Sequence, residues 1–176
     1  MDQEQRPTLT DTLCTQCGLC CDGTLLADVE LASRAEAARM ADMGLRVDED
    51  ADELLMLLPC AALKGTCCSV YAHRPKCCRS FECSLLKDVR RGAMDVEQGA
   101  QHIAEALKRI ARVRKLLGRL EGHDALLPLR EACAEAVASE ASADPSVART
   151  RAQLEIAMAG VETLLRTTFL RRVRRT

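Results

Sequence analysis

The sequence predicts a mostly α chain. An irregular cysteine-rich metal-binding segment, with room for a small β-hairpin, precedes a helical hairpin or three-helix bundle. Three observations carry this reading. Ten of the eleven cysteines fall between Cys14 and Cys83. There is no Trp, and Tyr71, Phe81 and Phe169 are the whole aromatic complement, so the core must come from Leu, Ala, Val and Met. That composition suits helices better than sheets. Finally, the second half carries apolar stripes at helical spacing.

Residues 1–12 are polar and are expected to be a disordered N-terminus, with 13–92 a cysteine-rich metal-binding domain and 93–176 a helical bundle. In the first cysteine group, Cys14-x-x-Cys17-Gly18-x-Cys20-Cys21, the glycines permit tight turns. Asp28 to Met43 has a roughly helical period, with Gly44 as its stop. Residues 48–53 form an acidic stretch that reads as a solvated loop. The apolar run Leu54–Leu58 ends at Pro59; strand and helix are both compatible with it. Lys64-Gly65 signals a turn, and Cys68-Ser69-Val70-Tyr71 is the candidate return strand. Such a hairpin brings Cys60 beside Cys67 and Cys68.

A short helix is expected over Ser84–Arg91, broken by Gly92. Asp95 and Gln98 have capping-box spacing, and Ile103, Leu107, Ile110, Val113, Leu117 and Leu120 form one stripe. A second helix starts near Pro128 and ends near Ala141. A third starts with Asp144 as cap and Pro145 in the first turn, with Leu154, Met158, Val161, Leu165 and Phe169 as its stripe.

So much thiol in one segment requires disulfides or metal. Disulfide frameworks belong to oxidising compartments. The first residues have no basic region followed by an apolar run, which speaks against a signal peptide, and no apolar run is long enough to span a bilayer. The expectation is therefore a cytoplasmic protein with reduced thiols. In that setting CxxC spacing indicates metal binding, with thiol redox chemistry as the competitor. Thiolate sulfur is a soft donor for zinc, copper(I) and iron–sulfur clusters. Ten thiols exceed one tetrahedral site; two four-ligand sites or one binuclear site are the alternatives. Cys20 and Cys21 are neighbours whose side chains point in different directions in an extended backbone, which favours service to two centres. Arg74, Lys76, Arg79 and Lys87 can offset thiolate charge.

The register Cys14-x-x-Cys17-x-x-Cys20-Cys21, then Cys60, then Cys68-x-Val70-Tyr71-x-x-Arg74-Pro75-x-x-Cys78-Arg79-x-Phe81-x-Cys83 resembles the CxxCxxCC, or YkgJ-type, cysteine-cluster family. That family is described as a zinc- or iron-chelating domain with eight characteristic cysteines, and similar clusters are found in flagellin lysine methylases. The resemblance spans 14–83. It implies Cys14, Cys17, Cys20, Cys21, Cys60, Cys68, Cys78 and Cys83 as metal ligands, holding zinc or an iron–sulfur cluster. Cys67 and Cys77 are extra to the register: spare thiols, alternative ligands or a redox pair.

Other residues read more simply. Cys133 sits in an Ala-rich helix as a small buried hydrophobe. His73 lies within the cluster and is an alternative ligand; His102 and His123 fit helix surfaces. No Ser-His-Asp order, glycine-rich phosphate loop or HExxH is present, so no catalytic residue is assigned. A net charge of −1 and the lack of aromatics argue against nucleic acid. The basic end, Arg171-Arg172-Val173-Arg174-Arg175, suits a solvated helix terminus, with contact to nucleic acid or an acidic partner as the alternative. Three function classes follow: a metal-binding protein whose helices stabilise it or dock a protein partner; a cluster-dependent enzyme or enzyme component, for electron transfer or protein side-chain modification; and a metal store or chaperone.

Overall fold

A computed structural model describes residues 8–49, 53–139 and 144–171. Part of the stretch 1–12 lies outside these. From Thr10 the chain is helical: a π-helical turn, Thr10–Cys14, runs into a short α-helical turn α1, Thr15–Cys17. Gly18 stops it at φ +70, a left-handed conformation that only glycine adopts without strain. A Cβ there would also sit 3.3 Å from the Thr66 backbone.

Asp28–Met43 is shorter as a helix than its periodicity suggests. Asp28–Glu30 is a strand, β1, and the helix α2 is Arg34–Asp42. The local reason is the cap: Ser33 is extended and its Oγ accepts from the Glu36 amide at 3.2 Å, while the Glu36 carboxylate accepts from the Ala32 amide at 2.9 Å. Ser33-x-x-Glu36 is a capping signature, and it sets the helix start after the strand.

The expected hairpin is also redrawn. Leu54–Leu57 is a strand, β3, but its partners are β1 and β2 (Val47–Glu49) on either side, both antiparallel, with Val29 and Val47 opposite Met56. The true hairpin is shorter: β4, Leu63–Lys64, pairs with β5, Cys67–Cys68, through Gly65-Thr66. Gly65 at φ +62 matches a two-residue primed turn, which suits strand twist better than the turn a longer return would need.

The later elements follow expectation closely. After the single turn Tyr71–His73, α3 is Lys76–Ser80 and α4 is Ser84–Arg90. Helix α5, Val96–Leu117, begins with the Asp95–Gln98 capping box. Helix α6 is Leu129–Ala138, with Pro128 just outside its first turn; the expected end at Ala141 lies outside the described residues. Helix α7, Pro145–Leu164, is capped by Asp144 and continues as a π-helical turn to Phe169. Its five stripe residues are all buried. Helices α5, α6 and α7 pack on one another, so the fold is mostly α with small antiparallel sheets.

Two apolar clusters form the interior. The larger joins α4, α5, α6 and α7 to Leu13, Leu19 and Leu25 of the cysteine segment. The smaller joins Ala37 and Met40 of α2 to Met56 of β3, with Leu31, Leu45, Leu58 and Ala62. Among the described residues, no helix is long and apolar enough to cross a membrane.

Candidate metal centre

Cys14 closes the first helical turn and Cys17 closes α1. Leu13 is buried beside Gly99 of α5, where a Cβ would lie 3.1 Å from Val89 Cγ2 and 3.6 Å from both Leu13 and Leu85 side chains. The missing side chain lets α5 approach α4 and the first turn together. Cys14 follows Leu13, and Cys83 caps α4, its Sγ accepting the Leu86 amide at 3.5 Å. One close helix contact thus holds the first and last cysteines of the register near each other.

The middle cysteines are tied by backbone. The Cys60 amide donates to the Cys21 carbonyl at 2.7 Å, and the Leu63 amide to the Cys60 carbonyl at 3.0 Å. Leu63 in turn pairs with Cys68 across the hairpin. Cys78 lies on α3, whose first amide, Lys76, donates to Glu36 Oε1 at 2.9 Å. The Glu36 carboxylate is only 8% exposed and spans the starts of α2 and α3, which are distant in sequence.

All eight register cysteines line one cavity of about 540 Å³. Cys67 also reaches it, from the exposed side of β5, with its Sγ 3.8 Å from the Thr15 carbonyl. Cys77 packs against the smaller core beside Cys78 and does not line the cavity. His73 does not line it either. Cys133 is buried at 4% exposure in the helical core. Every cysteine is a free thiol.

Burial dominates the electrostatics. It pushes the Cys17 thiol up to about 12 and Cys21 up to about 11, with nearby thiols adding to the effect. Cys14, Cys20, Cys60, Cys78 and Cys83 are raised for the same first cause. Desolvated thiolates are costly unless a cation compensates them. Among the described residues no three His, Cys, Asp or Glu side chains are gathered tightly enough to hold a metal ion. The donor set nevertheless fits one by its chemistry: eight soft, partly buried sulfurs line a single cavity.

Arg74 lies near Cys14 and Cys21, and its positive charge opposes part of the rise that burial causes in both. Its guanidinium nevertheless stacks 3.6 Å above the Tyr71 ring, and its Nε donates to the Tyr71 carbonyl at 3.1 Å. Arg90 also acts on Cys14, and Lys87 on Cys83. Arg90 pairs with Glu82, another residue of the cavity wall.

Glu36 was invisible as a site-positioning residue in the sequence because its partner, Lys76, is remote; the Ser33-x-x-Glu36 spacing was the available signal. Asp22 was missed too. It accepts from Arg114 of α5 at 2.8 Å and fixes the loop carrying Cys20 and Cys21.

The CxxCxxCC family model, described as "Putative zinc- or iron-chelating domain", matches residues 13–107. No curated protein and no solved structure matches the chain. With more than half of its 176 residues matched, this chain belongs to the CxxCxxCC family of metal-chelating domains.

Proposed function

We propose that the chain is a cytoplasmic metal-binding protein in which Cys14, Cys17, Cys20, Cys21, Cys60, Cys68, Cys78 and Cys83 ligate zinc or an iron–sulfur cluster. The observation that carries this is that those eight free thiols all line one cavity while Cys133 stays in the helical core. The metal would supply the positive charge that buried thiolates lack. The residues' own work is to present sulfur, exclude water and hold the backbone turns in place. The helices anchor Leu13, Leu19 and Leu85 and leave an outer face, including Ile156 at 75% exposure, for a protein partner.

The test is anaerobic purification followed by metal analysis and a visible spectrum. Sulfur-to-iron absorption identifies a cluster; a colourless protein with tightly held zinc identifies a zinc site. A chain with neither metal after reducing, anaerobic isolation and reconstitution would defeat the proposal.

A second reading comes from the size of the cavity. At about 540 Å³ it falls within the range of small-molecule pockets, and its wall includes Leu13, Leu58 and Phe81 beside the thiols. In this reading the metal centre serves a reaction on a partly apolar substrate. Competition between a small ligand and solvent for a bound paramagnetic metal would support it; a metal spectrum indifferent to every added ligand would not.

A further inference from the structure

We propose that the eight thiols divide into two separate four-cysteine metal centres, Cys14–Cys17–Cys20–Cys83 and Cys21–Cys60–Cys68–Cys78, that meet at the Cys20–Cys21 peptide. This rests on the metal-binding reading above and goes beyond it by assigning each ligand to a centre.

Packing gives the first argument. Cys14, Cys17, Cys20 and Cys83 all lie against the larger core. Cys60, Cys68 and Cys78 all lie against the smaller one. The two cores come from different elements, so the two thiol groups are carried by different walls of the cavity.

The backbone gives the second. Cys21 joins Cys60 by its carbonyl and Cys60 leads to Cys68 through Leu63, as described. These bonds bring the Cys21 carbonyl to the hairpin side, while its amide donates to the Gly18 carbonyl at 2.9 Å beside Cys17. Cys20 precedes the peptide step; its side chain packs with the helices. The two sets meet at the adjoining residues Cys20 and Cys21.

Four cysteines complete a structural zinc site or hold one iron–sulfur cluster. Each zinc centre would keep two excess negative charges. Arg74, on the wall of the same cavity, is a cation available to both. Cys67 and Cys77 are left over from both sets.

The test uses the full-length, tag-free, reduced chain, stripped of metal and titrated anaerobically with cobalt(II) against a competing chelator. Two cobalt ions per chain with thiolate charge-transfer bands are expected. Cys83→Ser and Cys60→Ser should each lose half of the tightly bound cobalt. The pair Cys17→Ser with Cys83→Ser should lose no more than Cys83→Ser alone, whereas Cys60→Ser with Cys83→Ser should lose both ions. Cys67→Ser and Cys77→Ser should keep both. Loss of both ions from Cys17→Ser with Cys83→Ser, or one ion in the parent, overturns the division while leaving metal binding intact. A parent chain with no thiolate–cobalt bands overturns the metal-binding reading itself. Should the serine variants fail to fold by circular dichroism, the magnetism of the two-cobalt parent decides. Uncoupled high-spin ions support separate centres, and strongly coupled ions show bridging sulfur and overturn them.

Discussion

Glu36 concentrates several roles in one carboxylate. It is buried beside Arg39 at 3.6 Å and accepts from the Ala32 and Lys76 amides. Those backbone hydrogen bonds, Ala32 first, hold its carboxyl below the ordinary value of 4.5 despite burial. Glu36→Ala leaves two partly buried amides without their acceptor and should cost roughly 2 kcal/mol. It should also weaken metal binding, because α3 carries Cys78. Urea midpoints and chelator competition measure the two effects; an unchanged midpoint would show that neither amide depends on the carboxylate. Local periodicity marked Glu36 as helical but could not show a partner forty residues away. The cysteines differ: the eight that the family resemblance implies as ligands all line the cavity, although Cys60 stands far along the chain from Cys21. What spacing left open was Cys67, which also reaches the cavity, and Cys77, which does not.

Cys133 tests burial without involving the cluster. Burial, with Glu162 adding, moves its thiol from the ordinary 9.0 up to about 11. The folded chain therefore holds this proton more tightly than the unfolded chain. The resulting stability is complete below pH 9 and is lost as pH rises toward 11. Between about pH 8 and about pH 10.5 the parent should lose roughly 2 kcal/mol more than Cys133→Ala. Parallel denaturation curves for the two proteins across that range would mean that the thiol is as well solvated folded as unfolded.

Among the elements, helices were far more legible than strands. Asp95 and Gln98 cap α5 as their spacing indicates, with the Gln98 amide 2.7 Å from Asp95 Oδ1, and the α7 stripe is the buried face. These signals are repeated along one element. Strands of two to four residues offer too few alternations, and their partners were decided by tertiary contacts: β3 is central because β1 and β2 flank it. Gly99 shows a related limit, since its meaning lies in the Val89 side chain 3.1 Å from an added Cβ. Gly99→Leu should overpack this contact and cost about 1–3 kcal/mol, despite leucine's better helix propensity. Because the contact locates both Leu13 and Leu85, the same variant should weaken metal binding. A thermal midpoint at or above that of the parent would show that α4 yields without cost.

For the whole molecule, the larger core runs from Leu13 and Leu19 through α4 into α5, α6 and α7. Metal binding should therefore stabilise more than the cysteine segment. On metal removal under reducing conditions, amide protection should fall first across 14–83 and more modestly in α4 and the adjoining face of α5. The Leu154–Phe169 stripe should keep most of its protection, since its partners are largely helical. Hydrogen exchange with and without metal reads this gradient. Full protection retained across 14–83 would show that the segment's fold does not depend on its metal, and a simultaneous collapse of α7 would show that the helices have no stability of their own.

The anchoring of Arg171 also bears on how the protein should be handled. Ser84 Oγ donates to its carbonyl at 2.9 Å, and its guanidinium pairs with buried Asp88; Ser84 directly follows Cys83. At the other end, Thr8 and Asp11 belong to the cavity wall. A polyhistidine tail joined to the chain adds metal ligands of its own, and its imidazoles can capture, share or strip metal held by the thiols. Stoichiometry taken from tagged protein would then report the purification handle as much as the cysteines, so the tail should be cleaved before any metal is counted.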